Sequence, residues 1–218
     1  MRVKICGVTN VGDAEQAVAL GADALGLNFY PASLRCISVQ VAREIVGVLP
    51  PFVQAVGVFV NQSLEQVTET LSDLAQIRLI QWHGDSHLVG DWQPFQWIAG
   101  FSVSEQRDLL AVSHYLDLCR NGGGQLPAAV LVDARVTGMY GGTGQLAPWG
   151  VLAGFQPGLP LILAGGLDAE NVAEAIRLVH PYAVDVASGV ESSPGRKDPE
   201  KMRRFIGTAR EAAAKYGV

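Results

Sequence analysis

The sequence of 218 residues has little charge and little cysteine. Charged residues make up 17% of it and the net charge is −5, which leaves no basic face for nucleic acid. The three cysteines, Cys6, Cys36 and Cys119, form no CxxC pair and are odd in number. That argues against a disulfide framework and for a reducing compartment. No apolar run approaches membrane-spanning length, and Arg2-Val3-Lys4-Ile5-Cys6 reads as a strand from the outset, leaving no room for a signal peptide. A cytoplasmic protein that engages no membrane is expected. No GxGxxG follows the first strand, and no GxxxxGK followed by Ser or Thr occurs, so the usual nucleotide signatures are missing. His83 and His87 have the spacing of a helical metal pair, but Gly84-Asp85-Ser86 between them reads as loop and no third ligand is indicated. No metal is expected.

What the chain does have is an apolar content of 49% and 25 glycines, a composition that suits a compact α/β protein. Strand and helix patterns alternate throughout. Strands are expected at 2–6, 22–30, 53–60, 77–82, 95–101, 128–132, 159–163 and 183–186. Between them, helical spacing runs over 9–20, from Ser38 to Leu49, and from the capping box Ser63-x-x-Gln66 to Leu74. A short or irregular helix is expected within 83–93, and Ser102-x-x-Glu105 reads as the cap of a helix reaching Cys119. Brief helical sequence near Trp149 to Leu152, a helix marked by Val172, Ala175, Ile176 and Val179, and a last helix capped by Asp198 with Pro199 complete the set. Eight strands, each followed by helical sequence and with no linker, specify a single-domain (β/α)8 TIM barrel over residues 1–218, with an open doubly wound sheet as the runner-up.

In such a barrel, chemistry gathers where the strands end, and the loops after strands seven and eight commonly hold phosphate. The stretch from Ala128 to Gly144 is the richest: an apolar strand delivers Asp133, and a glycine-dense loop follows. Alone, Asp133 reads more readily as a helix cap than as a site residue. Gly165-Gly166 after strand seven, Ser188-Gly189 after strand eight and Gly142-Thr143-Gly144 after strand six together point to an anion held by backbone N–H groups.

Cys6 ends strand one, so it shares a mouth with Asp133. Lys4 lies two residues earlier on the same face, roughly 6 to 7 Å away, where its cation favours a thiolate. At ordinary pKa values a thiolate costs about 2 kcal/mol at pH 7 and a protonated aspartic acid about 4. Cys6 is therefore the cheaper base, and Asp133 the acid whose pKa must be raised most.

Lys4-Ile5-Cys6-Gly7, Gly21-Ala22-Asp23, Ser33-x-Arg35, Gln81-Trp82-His83-Gly84, Asp133 with Gly141-Gly142-Thr143-Gly144, Ala164-Gly165-Gly166-Leu167 and Asp185-x-x-Ser188-Gly189-Val190-Glu191 form an ordered set spanning nearly the whole chain. The set resembles the phosphoribosylanthranilate isomerase family of tryptophan biosynthesis. The resemblance implies a cofactor-free Amadori rearrangement of a small-molecule substrate, N-(5-phosphoribosyl)anthranilate, by a monomer or homodimer. It implies that Asp133 protonates the ribose ring oxygen, Cys6 removes the C2 proton and Arg35 holds the anthranilate carboxylate. Gln81 and His83 fall at the end of strand four, and Asp185 either accepts from the substrate amine or supports the site structurally. Leu34 stands where the family usually has Pro, which loosens the loop carrying Arg35, and Trp82 where it more often has Leu. A related sugar-phosphate isomerase of histidine biosynthesis, or a barrel that binds a sugar phosphate without turnover, is the alternative.

Overall fold

Eight parallel strands close on themselves in sequence order in the computed structural model, which describes residues 1–84, 92–122, 124–134 and 149–218. They are β1 (Arg2–Cys6), β2 (Ala24–Asn28), β3 (Gln54–Val60), β4 (Leu79–His83), β5 (Gln96–Ser102), β6 (Ala129–Asp133), β7 (Leu161–Ala164) and β8 (Ala183–Val186). Closure comes from β1 pairing with β8, Lys4 beside Asp185. The (β/α)8 expectation holds, and the open sheet is ruled out.

Side chains alternate across each strand, so every strand serves two layers. Ile5, Leu25, Leu27, Phe59, Ile80, Trp97, Val130, Leu163 and Val184 point outward into the layer between strands and helices. Val56, Ile98, Ala129, Leu131, Ile162, Ala164 and Ala183 point inward and fill the barrel with apolar volume. The interior is thus a packed plug. Polar residues on the inward face, Lys4, Cys6, Gln81, His83, Asp133 and Asp185, lie toward the strands' C-terminal ends. That gradient makes one end of the barrel chemically distinct.

The helices form where their caps dictate. Asn10 accepts from Asp13 N–H to start α1 (Val11–Ala19), and Ser38 accepts from Val41 N–H to start α2 (Val39–Gly47). The reciprocal Ser63–Gln66 box opens α3 (Leu64–Leu71) as its spacing predicts. The next cap departs from expectation. Ser102 ends β5, and α4 (Gln106–Asn121) begins three residues later than read, because Asp108 accepts from the Ser104 and Glu105 N–H groups. Two backbone bonds to one carboxylate outcompete the Ser102 hydroxyl, and they hold the Asp108 carboxyl below its ordinary range. Helix α5 (Trp149–Leu152) is one turn, and α6 (Val172–Val179) presents the expected apolar stripe. The helix expected within 83–93 falls largely on residues 85–91, outside the described ones.

After β8 the chain makes a 3-10 turn (Ser188–Val190) and a two-stranded ribbon, β9 (Glu191–Ser193) with β10 (Arg196–Lys197). Asp198 then accepts from Glu200 and Lys201 N–H and starts α7 (Pro199–Tyr216), which packs on α6 and α1. Among the described residues no helix is long and apolar enough to cross a membrane.

Phe205 on α7 is wholly buried. Phe205→Ala is expected to lower the unfolding free energy by about 3–5 kcal/mol, read from urea denaturation, because the seam cannot collapse onto the void.

Candidate active site

A cleft of about 420 Å³ opens at the C-terminal ends of the strands. Cys6 from β1 and Asp133 from β6 both line it, three steps apart round the closed strand order. So do Arg35 from the loop after β2, Gln81 and His83 from β4, and Asp185 from β8. Gly165, Gly166 and Ser188 complete the expected residues in its wall. Gly189 stands just behind. A Cβ there would strike the Leu167 carbonyl, so this glycine is where the loops after β7 and β8 pack together. Gly142, Thr143 and Gly144 lie outside the described residues, as does His87.

The thiol sits in a charged, half-buried setting. Lys4, buried, donates to Asp185 Oδ1 at 2.9 Å on the neighbouring strand. Gly26 opposite Cys6 leaves room for both side chains, since a Cβ there would lie 2.6 Å from Cys6 Sγ and 3.1 Å from Lys4 Nζ. Burial pushes the Cys6 thiol above its ordinary value, while the Lys4 cation, and more weakly that of Lys197, pulls it down; Asp185 adds to the rise. Desolvation wins. The Lys4 effect expected from strand spacing is present but is the smaller of the two. For Lys4 itself burial is the largest single influence and lowers the pKa, yet Asp185 and Cys6 together outweigh it and hold the ammonium above its usual value.

Arg35 is not a loose loop arginine. Its Nε and Nη2 donate to Glu191 Oε1 and Oε2 at 2.8 and 2.5 Å, a two-pronged pair. Its aliphatic stem lies over Gly7, which has φ +70° and leaves no room for a Cβ against Arg35 Cδ. This orientation leaves Nη1 for a ligand. Glu191 is buried and also accepts from Lys197 Nζ at 2.9 Å. Burial raises the Glu191 carboxyl most, but Arg35 and Lys197 more than offset it, and the net direction is down. Sequence reading passed over Lys197 and gave Glu191 no role. Their signal is a contact between distant segments, invisible to local spacing.

On β4, Gln81 Nε2 lies 2.7 Å from His83 Nε2. His83 packs over Gly100 of β5, where a Cβ would collide with the imidazole. Across the cleft Gly165, at φ +93°, comes so close to Asp133 that a Cβ would meet its carboxylate. The loop proposed to bind anion thus also crowds the acid. The arrangement suits proton transfer: a thiol and a carboxyl face one space, with a guanidinium to orient an anionic substrate.

A model of the family described as N-(5'phosphoribosyl)anthranilate (PRA) isomerase matches residues 3–208. The N-(5'-phosphoribosyl)anthranilate isomerase of Acidithiobacillus ferrooxidans is 46% identical over 214 residues, covering 96% of this chain and 98% of its own. The crystal structure of phosphoribosyl anthranilate isomerase from Thermotoga maritima superimposes with a TM-score of 0.83 at 39% identity, covering 97% of this chain and 99% of that one. A crystal structure of the same enzyme type in complex with reduced 1-(o-carboxyphenylamino)-1-deoxyribulose 5-phosphate gives 0.80 at 37% identity, covering 97% and 99%. A match across nearly the full length, joined to the barrel and to a mouth lined by Cys6, Arg35, Gln81, His83, Asp133 and Asp185, has one reading: the chain belongs to the N-(5'-phosphoribosyl)anthranilate isomerase family.

Proposed function

We infer that the cleft catalyses the Amadori rearrangement of N-(5-phosphoribosyl)anthranilate to 1-(2-carboxyphenylamino)-1-deoxyribulose 5-phosphate. The observation that carries the assignment of roles is the placement of Cys6, Asp133 and Arg35 on one cleft wall. Asp133 gives its proton to the ribose ring oxygen as the C1–O bond breaks, and the nitrogen lone pair forms the C1 iminium. Cys6 then takes the C2 proton, and the C–H electron pair moves to neutralise the iminium as an enolamine. Tautomerisation gives the ketone. Substrate and product are isomers, so no oxidant or reductant is consumed and the chemistry calls for no cofactor.

Arg35 meets the anthranilate carboxylate with the donors that Glu191 leaves free, and Asp185 accepts from the substrate amine. The phosphate rests on Gly165, Gly166 and Ser188, with Gly142, Thr143 and Gly144 as further donors and Gly189 shaping the turn behind. Gln81 and His83 contact the sugar from β4. We place the enzyme in the cytoplasm, as a monomer or homodimer.

Asp133→Asn and Cys6→Ser should each lower kcat at least about a hundredfold with little change in KM, followed by the loss of phosphoribosylanthranilate fluorescence. Near-normal kcat in either would remove that residue from the mechanism, and binding without turnover by the parent protein would leave a sugar-phosphate binder. Arg35→Ala should instead raise KM at least about tenfold, a uniform binding loss; unchanged KM would reject the carboxylate contact.

The thiol makes a separate prediction. With the exposed Cys36 replaced by Ser, the pH midpoint of Cys6 alkylation should lie above the ordinary thiol value of about 8.5. Lys4→Met removes a cation that lowers this pKa, so it should move the midpoint higher still. A parent midpoint below about 8.5 would mean that the cations outweigh burial.

A further inference from the structure

Lys197 has no place in the reaction just described, yet it is among the most constrained residues of the mouth. Its side chain is 0% exposed. An ammonium carries three protons, and all three have acceptors: the Cys6 carbonyl at 2.6 Å, the Ala187 carbonyl at 3.0 Å and Glu191 Oε1 at 2.9 Å. Those acceptors belong to the end of β1, the end of β8 and the ribbon that follows. Its own backbone N–H is held by Asp13 Oδ2 of α1 at 2.8 Å, so the ammonium is anchored at both ends.

Balancing the charge of Glu191 would explain one of these bonds. It does not explain why the shortest goes to the main chain of the residue that carries the thiol. From Glu191 the bonds continue to the Arg35 guanidinium, whose stem lies over Gly7, the neighbour of Cys6. A closed loop of contacts results: Cys6 carbonyl, Lys197, Glu191, Arg35, and back to Gly7.

We propose that Lys197 is a positioning residue that ties the main chain of Cys6 and the guanidinium of Arg35 into one unit, fixing the spacing between the base and the receptor for the substrate carboxylate. The proposal rests on the assignment of Cys6 and Arg35 made above. It gives Lys197 two separable effects. Through the Cys6 carbonyl it sets where the thiol stands relative to C2, and displacement of a reacting group by about 1 Å costs on the order of a hundredfold in rate. Through Glu191 it sets the aim of Arg35 and hence substrate affinity.

The test is a double-mutant cycle on the full chain with phosphoribosylanthranilate, using Lys197→Met, Arg35→Ala and the pair, each checked for folding by circular dichroism. Lys197→Met should lower kcat at least about tenfold and raise KM at least about fivefold. In the Arg35→Ala background the KM increment should vanish while the kcat loss persists, because Lys197 reaches KM only by way of Glu191 and Arg35. A structural role alone would move the melting temperature without this split. Values of kcat and KM within about twofold of the parent, or a KM increment of equal size in both backgrounds, overturn the proposal.

If Lys197→Met does not fold, Glu191→Gln is read in its stead. KM should rise at least about fivefold in the native background and not further when Arg35 is Ala; no rise, or equal rises, overturns the proposal. Cys6→Ser run alongside separates the two levels. Loss of turnover in Cys6→Ser with unaffected Lys197 variants sinks the positioning role alone. A Cys6→Ser enzyme that turns over normally removes the base, and the proposal falls with it.

Discussion

A buried ammonium is tolerated only when its protons are taken and its charge is matched, and the seam between β1 and β8 contains two. Lys4 meets the requirement inside the barrel with Asp185, and Lys197 meets it at the rim with two carbonyls and Glu191. Burial is the leading influence on both. Lys4 ends above its ordinary value because Asp185 and the Cys6 thiol outweigh burial, whereas Lys197 ends below because Glu191 does not. Removing one member of a buried pair typically costs about 3–5 kcal/mol, a large share of a total stability of about 5–15. The same seam closes the barrel and brings residue 197 to residue 6. Closing the fold and assembling the site are therefore one event.

The electrostatics of that seam also order the chemistry. Each pKa unit by which burial lifts the thiol adds about 1.4 kcal/mol to the cost of its thiolate at a given pH. Burial thus favours the thiol over the thiolate at Cys6, beside the Lys4 cation. In the proposed reaction, proton donation by Asp133 creates an iminium next to C2. That positive charge would acidify the C2–H bond and favour the thiolate needed to take the proton. In that scheme acid precedes base for an electrostatic reason, and the burial that disfavours the thiolate beforehand strengthens the attraction once the iminium forms.

The parts legible in the sequence are those that depend on neighbours in the chain. Short apolar and β-branched runs gave the strands, Ser63 with Gln66 gave a cap, and Asp198-Pro199 gave the start of α7. Cys6 and Asp133 could be placed at one mouth because parallel strands in a closed barrel all end there. Where two local signals compete, spacing does not arbitrate: Ser102 fits a capping pattern, but Asp108 three residues into α4 captures two N–H groups and wins. Glu191 and Lys197 were beyond reach for another reason. Their partners, Arg35 and Cys6, are 156 and 191 residues away, and no periodicity encodes contacts of that separation. The balance between burial and cation at Cys6 was equally unreadable, since strand spacing gives the distance to Lys4 but says nothing of solvent.

Leu34 shows how such a contact changes the meaning of a local departure. Leu34 stands where the family resemblance leads one to expect proline, and it is largely exposed, at 77%. A proline at a compatible position stabilises by about 0.4–1 kcal/mol through the unfolded chain. Hydrogen bonds to a charged group contribute about 1.5–3 kcal/mol each, and Arg35 makes two to Glu191. The fork therefore outweighs the lost ring, and the guanidinium is aimed from the far end of the chain instead of by its own loop. That aim has a chemical consequence. With Nε and one proton of Nη2 committed to Glu191, the second proton of Nη2 and one proton of Nη1 are left side by side along a single edge of the guanidinium plane. A substrate carboxylate can pair with that edge in one orientation only, and a lysine, with a freely rotating point charge, would impose no such direction.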